Sequence, residues 1–478
     1  MHPVTTSELS DVPLTGLTSA GAEASTNTID NRGNTLKTIA VVAFTSVLMS
    51  WVAIFNGAPL VFADTMSYAV AALRREVPGM YSIFYSVLIL PLHQGVSLWP
   101  VVFAQAAMMA HFLYLVVRCT SDGRIGTRHL LLIVAVLCIW TSLPWITGEI
   151  LPDVFTSVVM LGTFLLAFCR DRLGRGEICY VTALTTIAIT THLSHVPIAL
   201  GLVLLAPALQ FLLGAKIRLR RIMLLGGILS VAIGSMLAVN WGNSGNAVFA
   251  GNSNVFLLAK WIDEGPALTF LQKACKTEHY KLCAHLNELK DRTHDDLKWL
   301  PDSPFLKVGG FDALEPEARE IVRGTLRDYP LEILQTAFLD AGRQLLRFRT
   351  GDGLLPDYAH WVAGLLHSEF NPETALALSQ SRQSQDRLPI SEIRPLHLVA
   401  VVIGLIACIW TFARRAALPH HVIALQLFIV AGIVWNAIVT GGLAGPYDRY
   451  LARVIWLVLF VGILGLWCLA RNPAPRRV

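Results

Sequence analysis

Apolar runs of about 20 residues recur along most of this chain, the length a helix needs to cross roughly 30 Å of hydrocarbon at 1.5 Å per residue. They predict about ten spanning helices, near 37–56, 97–117, 129–146, 153–169, 178–192, 195–214, 222–240, 396–413, 421–440 and 451–469. Between the first two, "ADTMSYAVAALRREV" and "MYSIFYSVLILPLHQG" are too short or too interrupted to cross. Pro91, His93 and Gln94 break the second of these segments, and counting it as a span would reverse every later loop. The pattern therefore predicts two helices lying in the membrane plane over 64–94.

The stretch 241–395 is different: in "HLNELKDRTHDDLKWL" and "LEPEAREIVRGTLRDYP" apolar residues recur at three and four, the period of amphipathic helices. Pro316 and Pro330 are expected to punctuate these helices. The expected fold is all-α and polytopic: a disordered tail over 1–36, a spanning module over 37–240, a small and mainly helical domain outside the membrane over 241–395, and a second spanning module over 396–478.

Charge orients this arrangement. Only 15% of residues are charged, against roughly a quarter in soluble domains. With the N-terminus inside, the inner loops and tails hold 17 Lys and Arg, whereas the outer side, the long insert aside, holds only Arg74, Arg75, Arg449 and Arg453. Positive loops stay in the cytoplasm, so both termini are expected there. The net charge of +5 is thereby a topological signal, and no basic stripe interleaved with aromatics points to nucleic acid. Cys275 and Cys283, in "ACKTEHYKLC", lie in the outer insert, where a disulfide is expected. The other six cysteines fall in or beside spans and behave as small apolar side chains.

Several polar residues gather at the outer ends of the spans. Asp64 stands just beyond the first span, where it either caps the first in-plane helix or serves chemistry. Glu149 and Asp153, in "TGEILPD", sit where one span returns into the next; capping by Asp153, contact with a substrate hydroxyl and metal ligation compete. His192 and His195, in "TTHLSHVP", suit interfacial hydrogen bonding, then phosphate or sugar contact, then zinc, for which no third ligand is identifiable. His93 and His111 read as core residues, and no metal is assigned. Arg343 and Arg347, four apart in "AGRQLLRFR", are expected on one helical face, solvated or turned to an anionic surface.

Taken in order along this topology, four elements carry a family likeness: Asp64 in the first outer loop, the Pro-aromatic segment "PGMYSIFYSVL", "GEILPDVFTSVVMLGTF", and the Arg-Tyr element of "YDRYLARVIW". Over roughly 37–240 and 396–470 the chain resembles the GT-C glycosyltransferases, membrane enzymes that take sugar from a polyprenyl phosphate carrier. Many members have Asp-Glu where this chain has Asp64-Thr65, and the Arg-Tyr element is often followed by Pro where Ala452 and Arg453 stand here. The insert matches no family motif.

The resemblance implies a hexosyl- or pentosyltransferase of the bacterial inner membrane and cell envelope, with a polyprenyl-phosphate-linked sugar as donor substrate and no cofactor assigned. A glycan, lipid or protein is the implied acceptor, met on the outer side among membrane lipids. Asp64 is then the general base of an inverting transfer. Arg449 is the first choice for the donor phosphate, against a local ion pair with Asp448 or headgroup contact. Arg74 and Arg75 are further phosphate candidates, though on a helix they point about 100° apart. Tyr68, Glu149, Asp153, His192, His195 and Tyr450 are candidates for substrate contact. The alternatives are a transporter or flippase of a lipid-linked saccharide, which suits the spans equally well, and a non-catalytic scaffold whose insert binds a partner.

Overall fold

The computed structural model describes residues 35–471. The tail expected over 1–36 lies outside the described residues except for Thr35 and Leu36, which open the first helix. Among the described residues the fold is all-helical, with no strand. Six helices are long and apolar enough to cross a membrane: Trp99–Thr120 (α5), His195–Leu212 (α10), Leu219–Ser244 (α11), Ile390–Ala413 (α21), His420–Ala444 (α22) and Asp448–Ala470 (α23). This is the signature of an integral membrane protein.

The other four predicted spans are shorter helices. The run over 37–56 splits into Thr35–Met49 (α1) and Trp51–Asn56 (α2). At the junction Ser46 donates to the carbonyl of Val42 and Ser50 to that of Ser46, while the N–H groups of Ser50 and Ile54 keep their bonds to the carbonyls of Ser46 and Ser50, so α2 follows α1 directly. Gly57, at φ 83°, then closes α2 in the left-handed conformation that glycine adopts without strain. The run over 129–146 becomes Thr127–Trp140 (α6) and Leu143–Gly148 (α7), and the next two become Val154–Phe168 (α8) and Arg175–Thr190 (α9). Every residue of α8 from Val154 to Ala167 is buried, which explains an apolar surface on all sides: α8 is the centre of the bundle.

Between α2 and α5 lie Thr65–Arg74 (α3) and Ile83–His93 (α4), of 10 and 11 residues. At 1.5 Å per residue each is about 15 Å long, half of what a crossing needs.

The loops sort to two ends of the bundle. At one end Arg118 pairs with Glu177 at 2.6 Å, Arg221 with Asp171 at 2.6 Å, and Arg124 donates to the carbonyls of Ala417 and Cys468. Arg124, and Arg221 through the carbonyl of Ala167, thereby complete carbonyls in the last turns of helices, where the partial negative charge of the helix favours a cation. At the other end Leu60 and Glu149 form an isolated parallel bridge, with Leu60 N–H donating to Gly148 and Ile150 N–H to Leu60.

The insert is less detached than a separate domain. Its first part, Ser253–Asp263 (α12), Pro266–Ala274 (α13), Leu286–Leu289 (α14), His294–Trp299 (α15), Pro304–Lys307 (α16) and Gly310–Asp328 (α17), has a core of its own around Leu258, Leu289, Phe305 and Ile321. Cys275 and Cys283 are disulfide-bonded there. Pro330–Leu345 (α18) instead packs on α22, and Pro356–Leu366 (α19) with Pro372–Ser379 (α20) place Val362, Leu366 and Leu378 in the core of the bundle. Two details differ from expectation. Pro316 lies inside α17 rather than at its end, in the second turn and on the exposed face. Arg347 lies beyond α18, so it shares no helical face with Arg343; its guanidinium donates to the carbonyl of Pro446.

Candidate active site

Asp64 is presented by a loop that other parts of the chain hold in place. The Leu60 to Glu149 bridge fixes its start. Gln383, at the end of the insert, grips Val61 on both sides, accepting from its N–H at 3.1 Å and donating to its carbonyl at 2.6 Å. Thr65 donates to the carbonyl of Ile150 and accepts from the N–H of Phe62. Asp64 does occupy the N-terminal boundary of α3, yet its carboxylate makes no capping bond. The side chain turns instead to Tyr81, whose hydroxyl donates to Oδ1 at 2.8 Å, and to Arg449, whose Nη1 is 3.4 Å from Oδ2. The capping reading of Asp64 is thereby corrected.

Arg449 and Arg453 lie one turn apart near the start of α23, so one helical face carries both guanidinium groups into the bundle. Arg453 is fully buried. It bonds Asp153 at 2.9 Å, and its Nη2 donates to Ser194 Oγ and Asn436 Oδ1 at 3.1 Å each. Asp153, buried as well, makes no capping bond to α8. Its second oxygen lies 3.9 Å from Nε of Arg449, too far for a hydrogen bond but close enough for charge attraction. Capping by Asp153 is corrected by the same observation: a charge-assisted bond to a buried guanidinium is stronger than one to a neutral backbone N–H. Neither Arg449 nor Asp64 pairs with Asp448, which accepts from the N–H of Arg349.

The Arg449 guanidinium stacks over Phe62 with its carbon 4.3 Å from the ring centroid. Its one hydrogen bond to a protein side chain is the long contact with Asp64, so most of its five donors meet no protein acceptor among the described residues. The backbone that carries Arg449 is clamped by the insert. Asp352 accepts from its N–H at 3.0 Å, and Gln344 bonds both the N–H and the carbonyl of Tyr447. The Tyr447 hydroxyl in turn meets Asp295 at 2.6 Å and His294 at 2.5 Å.

Glu149 is buried in the connection between α7 and α8, and its Oε1 has no hydrogen-bond partner among the described residues. Burial, reinforced by the negative charge of Asp153, pushes its carboxyl up to about 8. Tyr68 and Tyr81 form a tilted ring pair with centroids 5.2 Å apart, and burial together with the Asp64 charge raises both phenols. Tyr450 lies beneath the two guanidinium groups, 5.4 Å from that of Arg449 and 5.3 Å from that of Arg453.

The structure thus brings Asp64, Tyr68, Glu149, Asp153, Arg449 and Tyr450 to one region. His192 stands at its edge, Nδ1 bonded to Ser194, next to Arg453. His195 is turned away: its ring nitrogens meet Thr156 Oγ1 at 2.8 Å and the Ala188 carbonyl at 2.7 Å, which leaves neither for a substrate or a zinc ion. Arg74 lies at the far end of α3, about 15 Å from Asp64 along the helix axis, and forks onto Glu369. Arg75 closes α3 in a left-handed conformation, φ 58°, with its side chain exposed. These two arginines are not part of the cluster. Tyr81, Arg453, Asp352 and Gln383 belong to it although sequence reasoning gave them no role; for Tyr81 the aromatic after the Pro-Gly turn was the available signal. Comparison with known proteins finds no matching family model, curated protein or solved structure.

Proposed function

We propose that the protein is a membrane glycosyltransferase that moves a sugar from a polyprenyl phosphate to an acceptor hydroxyl with inversion. The observation that carries this reading is the meeting of Asp64 and Arg449, 385 residues apart in sequence, at one end of a bundle of apolar helices. In the reaction the acceptor oxygen attacks the anomeric carbon while its proton passes to Asp64. The bond from that carbon to the phosphate oxygen breaks, and the pair of electrons stays on the departing polyprenyl phosphate.

The residues support each part of this scheme. Tyr81 and Arg449 hold the two oxygens of Asp64, and each oxygen keeps a further lone pair for an incoming hydroxyl. Arg449 has donors to spare for phosphate oxygens, and its planar fork suits them. A neutral Glu149 leaves Asp64 and Asp153 paired with Arg449 and Arg453, and Asp352, held on the backbone N–H of Arg449, is a further carboxylate there. In this reading the Asp64 end faces the outer side, because the arginine-bearing loops of the opposite end belong in the cytoplasm. The ten predicted segments then all cross, the four shorter ones with help from local thinning or flanking residues.

The test uses vesicles containing the full-length chain and a polyprenyl-phosphate sugar labelled in the sugar. Transfer predicts release of free polyprenyl phosphate and label in an acceptor. Label that crosses the bilayer with its anomeric bond intact would favour the transporter reading.

A further inference from the structure

We infer that α18 is a lipid-facing helix, and that the acyl chains of the bilayer cover its outer surface. The helix is amphipathic the wrong way round for an aqueous domain. Its packed face carries Ile333 and Ala341 but also Asp340 and Gln344, which are spent on Lys260 and on the backbone of Tyr447. Its outer face carries Leu331, Leu334, Phe338 and, just past the helix end, Leu346, exposed by 75%, 65%, 79% and 81%. Leu331, Leu334 and Phe338 recur at three and four on one stripe, and Leu346 extends it two turns further on, just past the helix end. In water a contiguous apolar stripe on this scale is costly, and contiguous exposed apolar patches mark membrane or partner contact.

The occupant follows from where α18 sits. It packs on α22, one of the long apolar helices, by close backbone approach. A Cβ on Gly441 would stand 2.6 Å from the carbonyl oxygen of Asp340, and Ala337 lies beside Gly442. Small residues at such a contact are the usual device for packing helices in lipid. α22 leaves Val434, Ile438 and Leu443 exposed along the stretch that leads to this contact. The stripe on α18 therefore continues a lipid-facing surface. Arg343, five residues past Phe338 and 68% side-chain exposed, pairs through one nitrogen with Asp340 at 3.0 Å and keeps its other donors for the phosphate level at which basic side chains anchor.

The experiment places the photo-crosslinker p-benzoylphenylalanine singly at Leu334, Phe338, Glu320 and Leu204 of the full-length chain in phosphatidylethanolamine–phosphatidylglycerol vesicles. All four positions are exposed, so the probe leaves packing intact; Leu204 lies on the spanning α10 and Glu320 on α17. After irradiation, intact-mass analysis is expected to show phospholipid adducts at 334 and 338 comparable to those at 204 and at least tenfold above 320. Adducts at 204 alone, equal adducts at 320 and 338, or a crosslink from 338 to a second copy of the chain would each overturn the inference.

Discussion

Replacing Asp153 tests the electrostatic core of the site independently of any substrate. Its partner Arg453 is fully buried, 2.9 Å away, and its Nε already lacks an acceptor. Removing one member of a buried ion pair leaves an unpaired charge in a dry setting, which costs about 3–5 kcal/mol. Ser194 and Asn436 still hold Nη2 after the change, so the guanidinium is not stripped of every acceptor. Asp153→Asn keeps an amide oxygen in place and belongs near about 3 kcal/mol, whereas Asp153→Ala belongs near about 5 kcal/mol. Replacing both residues, as Asp153→Leu with Arg453→Met, removes both desolvation penalties and is expected to recover most of the loss. Denaturant unfolding of the purified protein in micelles, followed by tryptophan fluorescence, measures the three variants against the parent. An Asp153→Ala protein within about 1 kcal/mol of the parent, or a double variant worse than either single one, would refute the reasoning.

Glu149→Gln is expected to change the pH dependence of stability. The folded state holds the Glu149 proton up to about 8, whereas the unfolded chain releases it near 4.3. Its contribution to stability is full below that lower value and is lost as pH rises to about 8; the Gln variant lacks this decline, and thermal melting across pH 4–9 checks it. Tyr81→Phe removes the donor to Asp64 Oδ1 and is expected to lower the transfer rate about tenfold, since a hydrogen bond to a charged group contributes roughly 1.5–3 kcal/mol; an unchanged rate would sever Tyr81 from the site. Arg74→Ala is expected to leave transfer unaltered, because the side chain is exposed and engaged with Glu369; a large loss would place it back among the phosphate ligands.

Much of the architecture was legible in the chain because hydrophobic length and charge act locally. The two short helices after the first span, the helical insert with its paired cysteines and the segregation of arginines to one end all come from patterns within a few residues of each other. A helix junction is less visible: nothing in the apolar run over 37–56 marks Ser50 as the point where α1 gives way to α2. In the site, sequence supplied the residue types but not their partners. Asp64 and Asp153 each have the look of a helix cap, and only folding shows that their carboxylates turn to Arg449 and Arg453, 385 and 300 residues away. Gln383 carries no local signal at all, since its two bonds to Val61 depend on the insert folding back across the bundle. Arg74 shows the opposite effect: ten residues from Asp64 in sequence become the length of α3, and its side chain meets Glu369.

The most direct test of the central claim compares Asp64→Asn with the parent for transfer of labelled sugar from its polyprenyl phosphate carrier, alongside binding of the carrier. The amide keeps the shape of the side chain and an acceptor for Tyr81 but cannot take up a proton. The account predicts retained binding and transfer lowered by roughly 10²–10⁴-fold. Transfer at the parental rate would contradict it.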